Sequence, residues 1–391
     1  MNTTTKVKII IIKFVWLLSR IFCIIPVDNN KIMFLSYDGG QYSDSPKYIS
    51  DYYLVRNRNL KQVWGFDKDF DYFSNDISSA IICCRKGTIA FLYHLFTAKE
   101  IVINDFMSTA FRLRRNQVLL NTWHGGGTFK TIGMSRNETS DYDEFFYKAH
   151  ARNTTAFSLS SEYFKETVVT RSFLFYGETI NSGMPRNFIL FKDGEAIRLR
   201  HKVLKHFNIN ESEDIKLILY APTYRNYTQN KRLDKGFELL DIDKCRNAFL
   251  KRFKGKVILL NRSHHVMSGE QVIGDTINAT KYPDMQELII ASDVLISDYS
   301  SCMWDFALTG KPIFVYAPDL STYESKIDFF MPAQEWPFPL AYNNDELEKN
   351  ICKFDSESYK IKLKKYMDPL RSYEGPDSVE KVCFWLDQHR K

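Results

Sequence analysis

Three common enzyme signatures are missing from this chain of 391 residues. It has no Gly-x-Gly-x-x-Gly fingerprint, no Walker A segment and no Gly-x-Ser-x-Gly elbow, which argues against dehydrogenase, ATPase and serine hydrolase functions. The seven cysteines are scattered along the chain and show no paired metal-ligand spacing. They therefore predict neither a disulfide framework nor a zinc site, and they fit a reducing compartment.

Strong charge of one sign is also lacking, because the formal net charge is only +6. A mild positive excess favours anionic partners such as phosphate compounds or acidic lipid. No Lys/Arg-rich cluster interleaved with aromatic residues is present, so we expect no nucleic-acid partner. With 44% apolar and 26% charged residues the composition is that of a globular protein, and the length favours two domains.

The N-terminus lacks an uninterrupted apolar span. Residues 7–27 are rich in Ile, Val, Phe and Leu, but Lys13 and Arg20 interrupt them. With Lys6, these cations recur every seven residues and form one basic stripe on a helix. Over residues 1–28 we therefore expect an amphipathic helix that lies in the membrane interface and contacts acidic lipid. A helix packed on the protein body and a true membrane span are the alternatives.

From residue 29 onward, short apolar runs alternate with longer mixed segments, which is typical of parallel α/β sheets. The predicted strands are Lys31–Ser36, Ala80–Cys84, Glu100–Asn104, Val118–Trp123, Thr155–Leu159, Lys216–Tyr220, Lys256–Asn261, Asp293–Ser297 and Pro312–Tyr316. The charged segment Phe191–Asp214 predicts a helix and a linker. We therefore expect two Rossmann-like domains, residues 29–195 and 196–391, that face each other across a ligand-binding cleft.

One predicted strand end carries a histidine followed by three glycines. Val118–Trp123 leads directly into His124 and then into Gly125, Gly126 and a third glycine. Glycines permit positive φ angles and a close approach of the backbone to an anion, and Lys130 is near enough in sequence to reach a phosphate. This combination favours a functional histidine over one that only fills a hydrogen-bonding role in the core.

Two strand ends in the second half carry groups suited to phosphate. Arg262 follows Lys256–Asn261 and can make bidentate phosphate contacts. His264 and His265 come next, but neighbours on an extended chain point to opposite sides, which disfavours a shared metal ion. A weaker signal is Leu219–Arg225, which ends in a threonine, an aromatic ring and an arginine.

A third strand end, Asp293–Ser297, continues into small hydroxyl residues and a helix-like segment, Cys302–Thr309. Backbone N–H groups at a helix start, together with the Ser300 and Ser301 hydroxyls, can cradle a phosphate. The same serines can simply cap the helix without any ligand. The two interpretations are compatible.

Taken in order, six segments of the chain resemble the CDP-glycerol glycerophosphotransferase family, whose enzymes prime and polymerise teichoic acids and related phosphate-linked capsule polymers. The segments are Thr122–Gly125, Ser160–Phe164, Gly183–Asn187, Tyr220–Thr223, Arg262–His264 and Asp293–Ser301. The resemblance covers most of residues 100–385. It implies a GT-B-like fold and peripheral attachment to the cytoplasmic face of the cell membrane.

The resemblance also implies the reaction. A glycerol phosphate or ribitol phosphate would pass from a CDP-polyol to a hydroxyl of a lipid-linked saccharide or growing surface polymer, with release of CMP. By motif match, His124 would be the general base, since an imidazole titrates near neutral pH. His264 would be the second catalytic histidine and would hold the diphosphate together with Arg262.

The remaining donor-site residues follow from the same match. Ser300 and Ser301 would stabilise charge on the β-phosphate and the departing CMP. Thr223, Arg225 and Asp298 would complete the CDP site. No acidic metal-binding cluster stands out in these segments, so we expect a reaction that uses neither a metal ion nor a cofactor.

The acceptor side is where this chain departs from the family pattern. Gly125, Gly126, Lys130 and Arg186 are the candidates for phosphate or acceptor contact. However, Gly126 and Gly127 replace the usual Thr-Pro after the Trp-His-Gly segment, and Phe188 stands where an Asp usually follows Pro-Arg-Asn. These differences bear on the acceptor and the polyol rather than on the transfer chemistry.

Two other functions fit the same residues. A GT-B glycosyltransferase that uses a nucleotide sugar would also need two sheets and a phosphate cradle. A membrane adaptor that binds a nucleotide without catalysis is the other alternative. The sequence leaves open whether the chain forms a homo-oligomer.

Overall fold

The structure is a computed structural model that describes residues 3–72, 76–127, 129–192, 194–210, 214–223, 238–253, 255–262, 275–325 and 327–390. Its strands are β1 (Asp28–Leu35), β2 (Lys61–Phe66), β3 (Ile82–Arg85), β4 (Ala98–Ile103), β5 (Val118–Asn121), β6 (Ala156–Ser158), β7 (Glu178–Ile180), β8 (Ile215–Tyr220), β9 (Lys256–Asn261), β10 (Ile277–Asn278), β11 (Val294–Ser297), β12 (Ile313–Tyr316) and β13 (Leu340–Ala341).

The α-helices are α1 (Thr3–Ser19), α2 (Asp44–Arg56), α3 (Ile89–Thr97), α4 (Asp141–Asn153), α5 (Glu162–Phe164), α6 (Glu195–His206), α7 (Ile242–Arg252), α8 (Met285–Ala291), α9 (Cys302–Ala307), α10 (Leu320–Glu324), α11 (Asn344–Cys352), α12 (Ser356–Met367) and α13 (Ser378–Arg390). Short 3-10 segments are Arg20–Ile24, Tyr37–Gly39, Gly133–Ser135, Pro185–Phe191, Ala333–Glu335 and Asp368–Leu370, and a π-helical segment is Lys165–Ser172.

The first of two compact units contains a seven-stranded sheet in the order β3-β2-β1-β4-β5-β6-β7. The unit consists of Met1–Gly126, Ile132–Phe188 and Ser372–Lys391. All its strand pairs are parallel. Residues such as Met33 and Ile101 are fully buried because helices cover the sheet. The strand order reverses between β1 and β4, and in such sheets this switch point is where ligands bind.

The second unit contains a six-stranded parallel sheet in the order β10-β9-β8-β11-β12-β13. It consists of Gly127–Thr131 and Ile189–Arg371. The strand order of this sheet also reverses, between β8 and β11. Each unit therefore has one switch point, at the carboxyl ends of β1 and β4 and of β8 and β11.

All nine strands predicted from the sequence are present, and the prediction of an α/β fold with parallel sheets is confirmed. Four strands were not predicted: β2, β7, β10 and β13. In β2 the polar Gln62 is buried, where its amide bonds to Ser50, and Gly65 interrupts the apolar run. The strands β10 and β13 have two residues each, too few to show a pattern.

The compact units do not follow a single cut in the chain. The last helix, α13, belongs to the first unit, where the Tyr53 hydroxyl donates to the Cys383 carbonyl at 3.1 Å. Arg390 also pairs with the fully buried Glu100, at 2.6 Å. The ranges 29–195 and 196–391 therefore stay predictions about where acceptor and donor bind.

One face of α1 packs on the first unit. The Trp16 indole donates to the Thr109 carbonyl at 2.6 Å and stacks on Phe145, while Ile9 is buried. Just after α1, Phe22 stacks on Phe96. Among the described residues, no helix combines the length and the apolar character that crossing a bilayer requires.

Candidate active site

The first candidate site begins where β5 ends. The backbone N–H of Trp123 donates to the Asn121 side chain at 2.8 Å, and Trp123 has a φ of 53°. The sequence suggested positive φ angles at the glycines after His124. Instead, the positive φ angle is at Trp123. The structure describes Gly125–Gly127, and none of these three glycines has a positive φ angle. This left-handed turn ends the strand and exposes part of His124.

The imidazole of His124 is held in one orientation. Its Nδ1 lies 2.7 Å from the Asn104 carbonyl oxygen. A carbonyl oxygen only accepts hydrogen bonds, so Nδ1 carries the proton in the neutral ring and Nε2 carries the lone pair. Among the described residues Nε2 has no hydrogen-bond partner. The rings of Trp123 and Tyr37 pack on the imidazole, with centroids at 4.2 and 5.3 Å.

Two neighbours of His124, Tyr37 and Asn104, were not predicted as site residues, nor was Asp44, which contacts Tyr37. The Tyr37 N–H donates to Asn104 Oδ1 at 2.7 Å, and its hydroxyl donates to Asp44 Oδ2 at 2.9 Å. A signal for them did exist, since Lys31–Ser36 and Glu100–Asn104 were both predicted strands with polar ends. The sequence did not predict the order of the strands in the sheet, however, and this order makes β1 and β4 neighbours.

Arg186 was predicted as a phosphate or acceptor contact. In the structure its side chain is 3% exposed and donates to Asp44 Oδ2 at 3.0 Å. The two side chains form a buried ion pair within the first unit. A direct contact between Arg186 and the acceptor stays a prediction.

The glycines after His124 have packing roles. The Gly126 carbonyl accepts from the Ser160 hydroxyl at 2.7 Å. A Cβ on Gly127 would overlap Trp304 Cβ and lie 2.8 Å from its Cγ. Gly127 is therefore required by the close approach of Trp304.

Lys130 follows in the second unit, where its backbone forms a β-bridge with Phe329 and its ammonium lies 5.4 Å from the centre of the Tyr323 ring.

The second candidate site lies at the switch point of the other sheet, where the buried Asp298 follows β11. Its two oxygens accept from the Thr223 N–H at 2.9 and 3.0 Å, and Oδ1 also accepts from the Thr223 hydroxyl at 2.6 Å. The Tyr299 N–H donates to the same carboxylate. Asp298 thus brings together the loops that follow β8 and β11.

Ser300 and Ser301 are half-buried at the start of α9. The Ser300 hydroxyl accepts from the Cys302 N–H at 3.4 Å. The hydroxyl of Ser301 makes no capping hydrogen bond among the described residues. The capping interpretation therefore applies to Ser300 and leaves the Ser301 hydroxyl for another partner.

The Arg262 side chain follows β9 in the same unit. Its Nη1 donates to the carbonyl oxygens of Tyr282 and Ala279, at 2.5 and 3.4 Å. These bonds orient the guanidinium at the carboxyl end of the sheet. His264 and Arg225, the other two predicted donor-site residues, lie outside the described residues.

No group of three or more His, Cys, Asp or Glu side chains is arranged to hold a metal ion within the described part of the chain. Apart from the Asp298 carboxylate, whose oxygens accept from protein donors, the described polar groups at the two switch points are hydroxyls, N–H groups, the Arg262 guanidinium and the His124 imidazole. These are donors and a base suited to an anionic substrate.

Two doubly wound parallel sheets with polar groups at their switch points define an α/β protein built to bind ligands outside its strand ends. The chain belongs to the CDP-Glycerol:Poly(glycerophosphate) glycerophosphotransferase family, whose model matches residues 17–386.

The chain is 27% identical over 400 residues to a teichoic acid poly(glycerol phosphate) polymerase of Bacillus spizizenii, which covers 96% of this chain and 97% of that protein. It is 25% identical to a teichoic acid glycerol-phosphate transferase of Staphylococcus aureus, covering 91% and 92%. It spans only 48% of a matching Bacillus subtilis polymerase. The solved wall teichoic acid polymerase TagF shares the fold, with a TM-score of 0.82 at 21% identity over 100% of this chain and 98% of that one.

Membership in the family confirms the resemblance seen in the sequence. It also confirms the prediction of an enzyme of polyol-phosphate transfer. The nucleotide-sugar alternative is not favoured.

Proposed function

We propose that this protein transfers glycerol phosphate or ribitol phosphate from a CDP-polyol to a hydroxyl of a lipid-linked saccharide or growing polymer, and releases CMP. The observation that carries the proposal is the hydrogen bond that fixes the ring orientation of His124. Its Nδ1 is bonded to a backbone carbonyl, which leaves the Nε2 lone pair for a substrate proton.

In the proposed reaction, Nε2 of His124 takes the proton of the acceptor hydroxyl while the hydroxyl oxygen attacks the β-phosphorus of the CDP-polyol. A bond forms between that oxygen and the phosphorus. The bond from the phosphorus to the bridging oxygen breaks, and its electron pair leaves with CMP. The product is a phosphodiester, and the proton taken up by the imidazole is later released to water.

On the donor side we assign the diphosphate to the switch point of the second unit. Support comes from the Thr223, Ser300 and Ser301 hydroxyls that follow β8 and β11, and from the guanidinium of Arg262. Arg225 and His264 stay part of this prediction. Asp298 has both oxygens bonded to protein donors, so its role is to hold Thr223 rather than to touch the anionic phosphates.

The helix α1 is the proposed attachment to acidic lipid. Its exposed apolar side chains recur at helical spacing, on the face opposite Ile9 and Trp16; they are Val7, Ile10, Ile11, Phe14, Leu17 and Leu18. The exposed Ile21 follows in the adjacent 3-10 segment. Lys6 and Lys13 are exposed beside this face. An apolar face flanked by cations suits the headgroup boundary of an anionic membrane.

We further propose that an acceptor domain and a donor domain face each other across a cleft in a GT-B-like arrangement, that the protein acts at the cytoplasmic face of the membrane, and that the reaction needs no metal ion. Activity that is fully lost in EDTA and restored by magnesium would contradict the last of these.

The test uses the purified full chain with a synthetic lipid-linked disaccharide and, in turn, CDP-glycerol, CDP-ribitol and UDP-sugars. We expect CMP release and a product heavier by one or more polyol phosphates, measured by mass spectrometry. UDP release from a UDP-sugar would contradict the proposal.

The matched variants are His124→Ala and His201→Ala, the second at an exposed position on α6. We expect His124→Ala to lower the rate of transfer by about 10² to 10⁴ and to leave CDP-glycerol binding intact. The variant His201→Ala should keep the wild-type rate. Equal rates for the two variants would remove His124 from the mechanism.

A further inference from the structure

We infer that Tyr37 is a positioning residue for His124, and that Asp44 and Arg186 hold Tyr37 in place. The inference rests on the proposed role of His124 as the general base. None of these three residues was chosen for such a role from the sequence. The segment concerned is residues 36–44, which follow β1 and end at the first residue of α2; it is called here the β1 loop.

The backbone of the β1 loop is strained at non-glycine residues. Tyr37, Asp38 and Asp44 have φ angles of 47°, 50° and 62°. Such angles are uncommon outside glycine and persist where surrounding contacts impose them. Here the Tyr37 N–H bonds to Asn104 Oδ1, and the Lys86 ammonium donates to both the carbonyl and the carboxylate of Asp38. The loop is thus fixed on both sides of its first turn.

The result of this loop shape is a Tyr37 side chain that is held at both ends. Its hydroxyl donates to Asp44 Oδ2 at 2.9 Å, and the same oxygen accepts from Arg186 at 3.0 Å. The side chains of Asp44 and Arg186 are 6% and 3% exposed. A charged pair buried this deeply cannot move without losing its partner, so the tyrosine ring has little freedom.

The tyrosine ring in turn restricts the imidazole of His124. The Nδ1 edge of His124 is bonded to the Asn104 carbonyl, and Trp123 and Tyr37 pack against the ring. Rotation of the imidazole would break the Nδ1 bond and displace the Tyr37 ring. Asn104 links the two residues, because its carbonyl binds His124 and its side chain binds Tyr37. The contacts therefore keep Nε2 in one direction for the acceptor hydroxyl.

The first test is a double-mutant cycle with Tyr37→Leu, His124→Ala and both changes together. We expect Tyr37→Leu to lower kcat roughly 10- to 100-fold, the size of effect that a small misplacement of a catalytic group produces. The KM for CDP-glycerol should stay unchanged. In the His124→Ala background the same substitution should cause no further loss, because a residue that acts through His124 has nothing left to position. Equal losses in both backgrounds would overturn the inference.

Two further variants control for folding. Tyr37→Phe keeps the ring but removes the hydrogen bond to Asp44, so we expect a rate between those of the wild type and Tyr37→Leu. Tyr176→Leu, at a side chain that is 78% exposed, should match the wild type. A Tyr37→Phe variant as fast as the wild type would overturn the role of Asp44 and Arg186, and one as slow as Tyr37→Leu would overturn the role of the ring.

The second test does not depend on activity. Nitrogen NMR spectra of histidine-labelled protein report which ring nitrogen carries the proton, and the His124 signal is identified by its loss in His124→Ala. Where the ring is neutral, the wild type should show only the Nδ1-protonated tautomer, and Tyr37→Leu should show exchange between tautomers. An unchanged single form in Tyr37→Leu overturns the positioning role. By contrast, absence of CMP release by the wild type overturns only the proposed function.

Discussion

The switch points of the two sheets are closed by the same kind of hydrogen bond, made by different side chains. In the first unit, Asn104 directly follows β4 and accepts the N–H of Tyr37 at 2.7 Å. In the second, Asp298 directly follows β11 and accepts the N–H of Thr223 at 2.9 Å. In each case the donor lies in the loop after the neighbouring central strand, β1 or β8.

Asn104 and Asp298 differ in the other hydrogen bonds that their side chains make. The Asn104 amide also donates to the Ser36 hydroxyl, at 3.4 Å. The Asp298 carboxylate can only accept, and it gathers N–H and O–H donors from Thr223 and Tyr299. The switch point of the first unit thus presents a base packed among aromatic rings, and that of the second unit presents small hydroxyls and N–H groups. The loops, rather than the shared strand order, determine the chemistry of each unit.

Removing the two side chains gives the largest expected effect on this comparison. Asp298→Ala leaves the donors of Thr223 and Tyr299 without their acceptor, and we expect the free energy of unfolding to fall by about 2 to 4 kcal/mol. Asn104→Ala removes one strong acceptor bond and should cost about 1 to 2 kcal/mol. Urea unfolding of each variant measures both values. A larger loss of unfolding free energy from Asn104→Ala than from Asp298→Ala would contradict this prediction.

A smaller effect on stability is expected from a change of pH, and it arises in the first unit. Burial lowers the pKa of His150, in the first unit, to about 3, and its Nε2 has no partner among the described residues. The folded chain keeps this ring neutral, whereas the unfolded chain binds a proton below about pH 6.5. Stability from His150 is therefore lost as the pH falls, by about 2 kcal/mol at pH 5.

The variant that tests this is His150→Phe, which suits the surrounding rings of Phe106 and Phe146. Burial raises the pKa of Glu100 to about 7, so that group titrates in the same range with the opposite sign. The quantity to measure is thus the difference in unfolding free energy between the two proteins at each pH. A difference that does not change between pH 7.5 and 5 would contradict the prediction.

A third prediction concerns Gly127, the glycine against which Trp304 of α9 packs. Gly127→Ala forces the indole to shift, and we expect a loss of about 1 to 3 kcal/mol in the stability of the second unit. Gly375→Ala is the control, because its Cβ would meet only the Asp377 carboxylate, at 3.3 Å. Equal thermal midpoints for the two variants would show that the indole is free to move.

Much of the fold was predictable because its central strands are continuous apolar runs. Lys256–Asn261 matches β9 residue for residue. The strand β2 was missed since the buried Gln62 and Gly65 break its apolar pattern. A polar side chain that is satisfied inside the protein looks like a surface residue in a sequence.

The candidate site was predictable only in part. His124 was found because it follows a strong strand and precedes glycines. Tyr37 was missed because its contact with His124 depends on which strands are neighbours in the sheet. The pairing of Asp44 with Arg186 joins residues 142 positions apart, and no local pattern marks such a pair.

The helix α13 has a consequence for how the chain acquires its structure during synthesis. The first unit is completed by contacts from Tyr53 to Asp387 and from Glu100 to Arg390, across 334 and 290 positions. A ribosome must therefore release α13 before these partners can meet. The second unit ends at Arg371 and so leaves the exit tunnel before α13, which allows it to fold while the first unit still lacks this helix. Contacts this distant in sequence form slowly, so we expect the unit that holds the histidine to mature after the other.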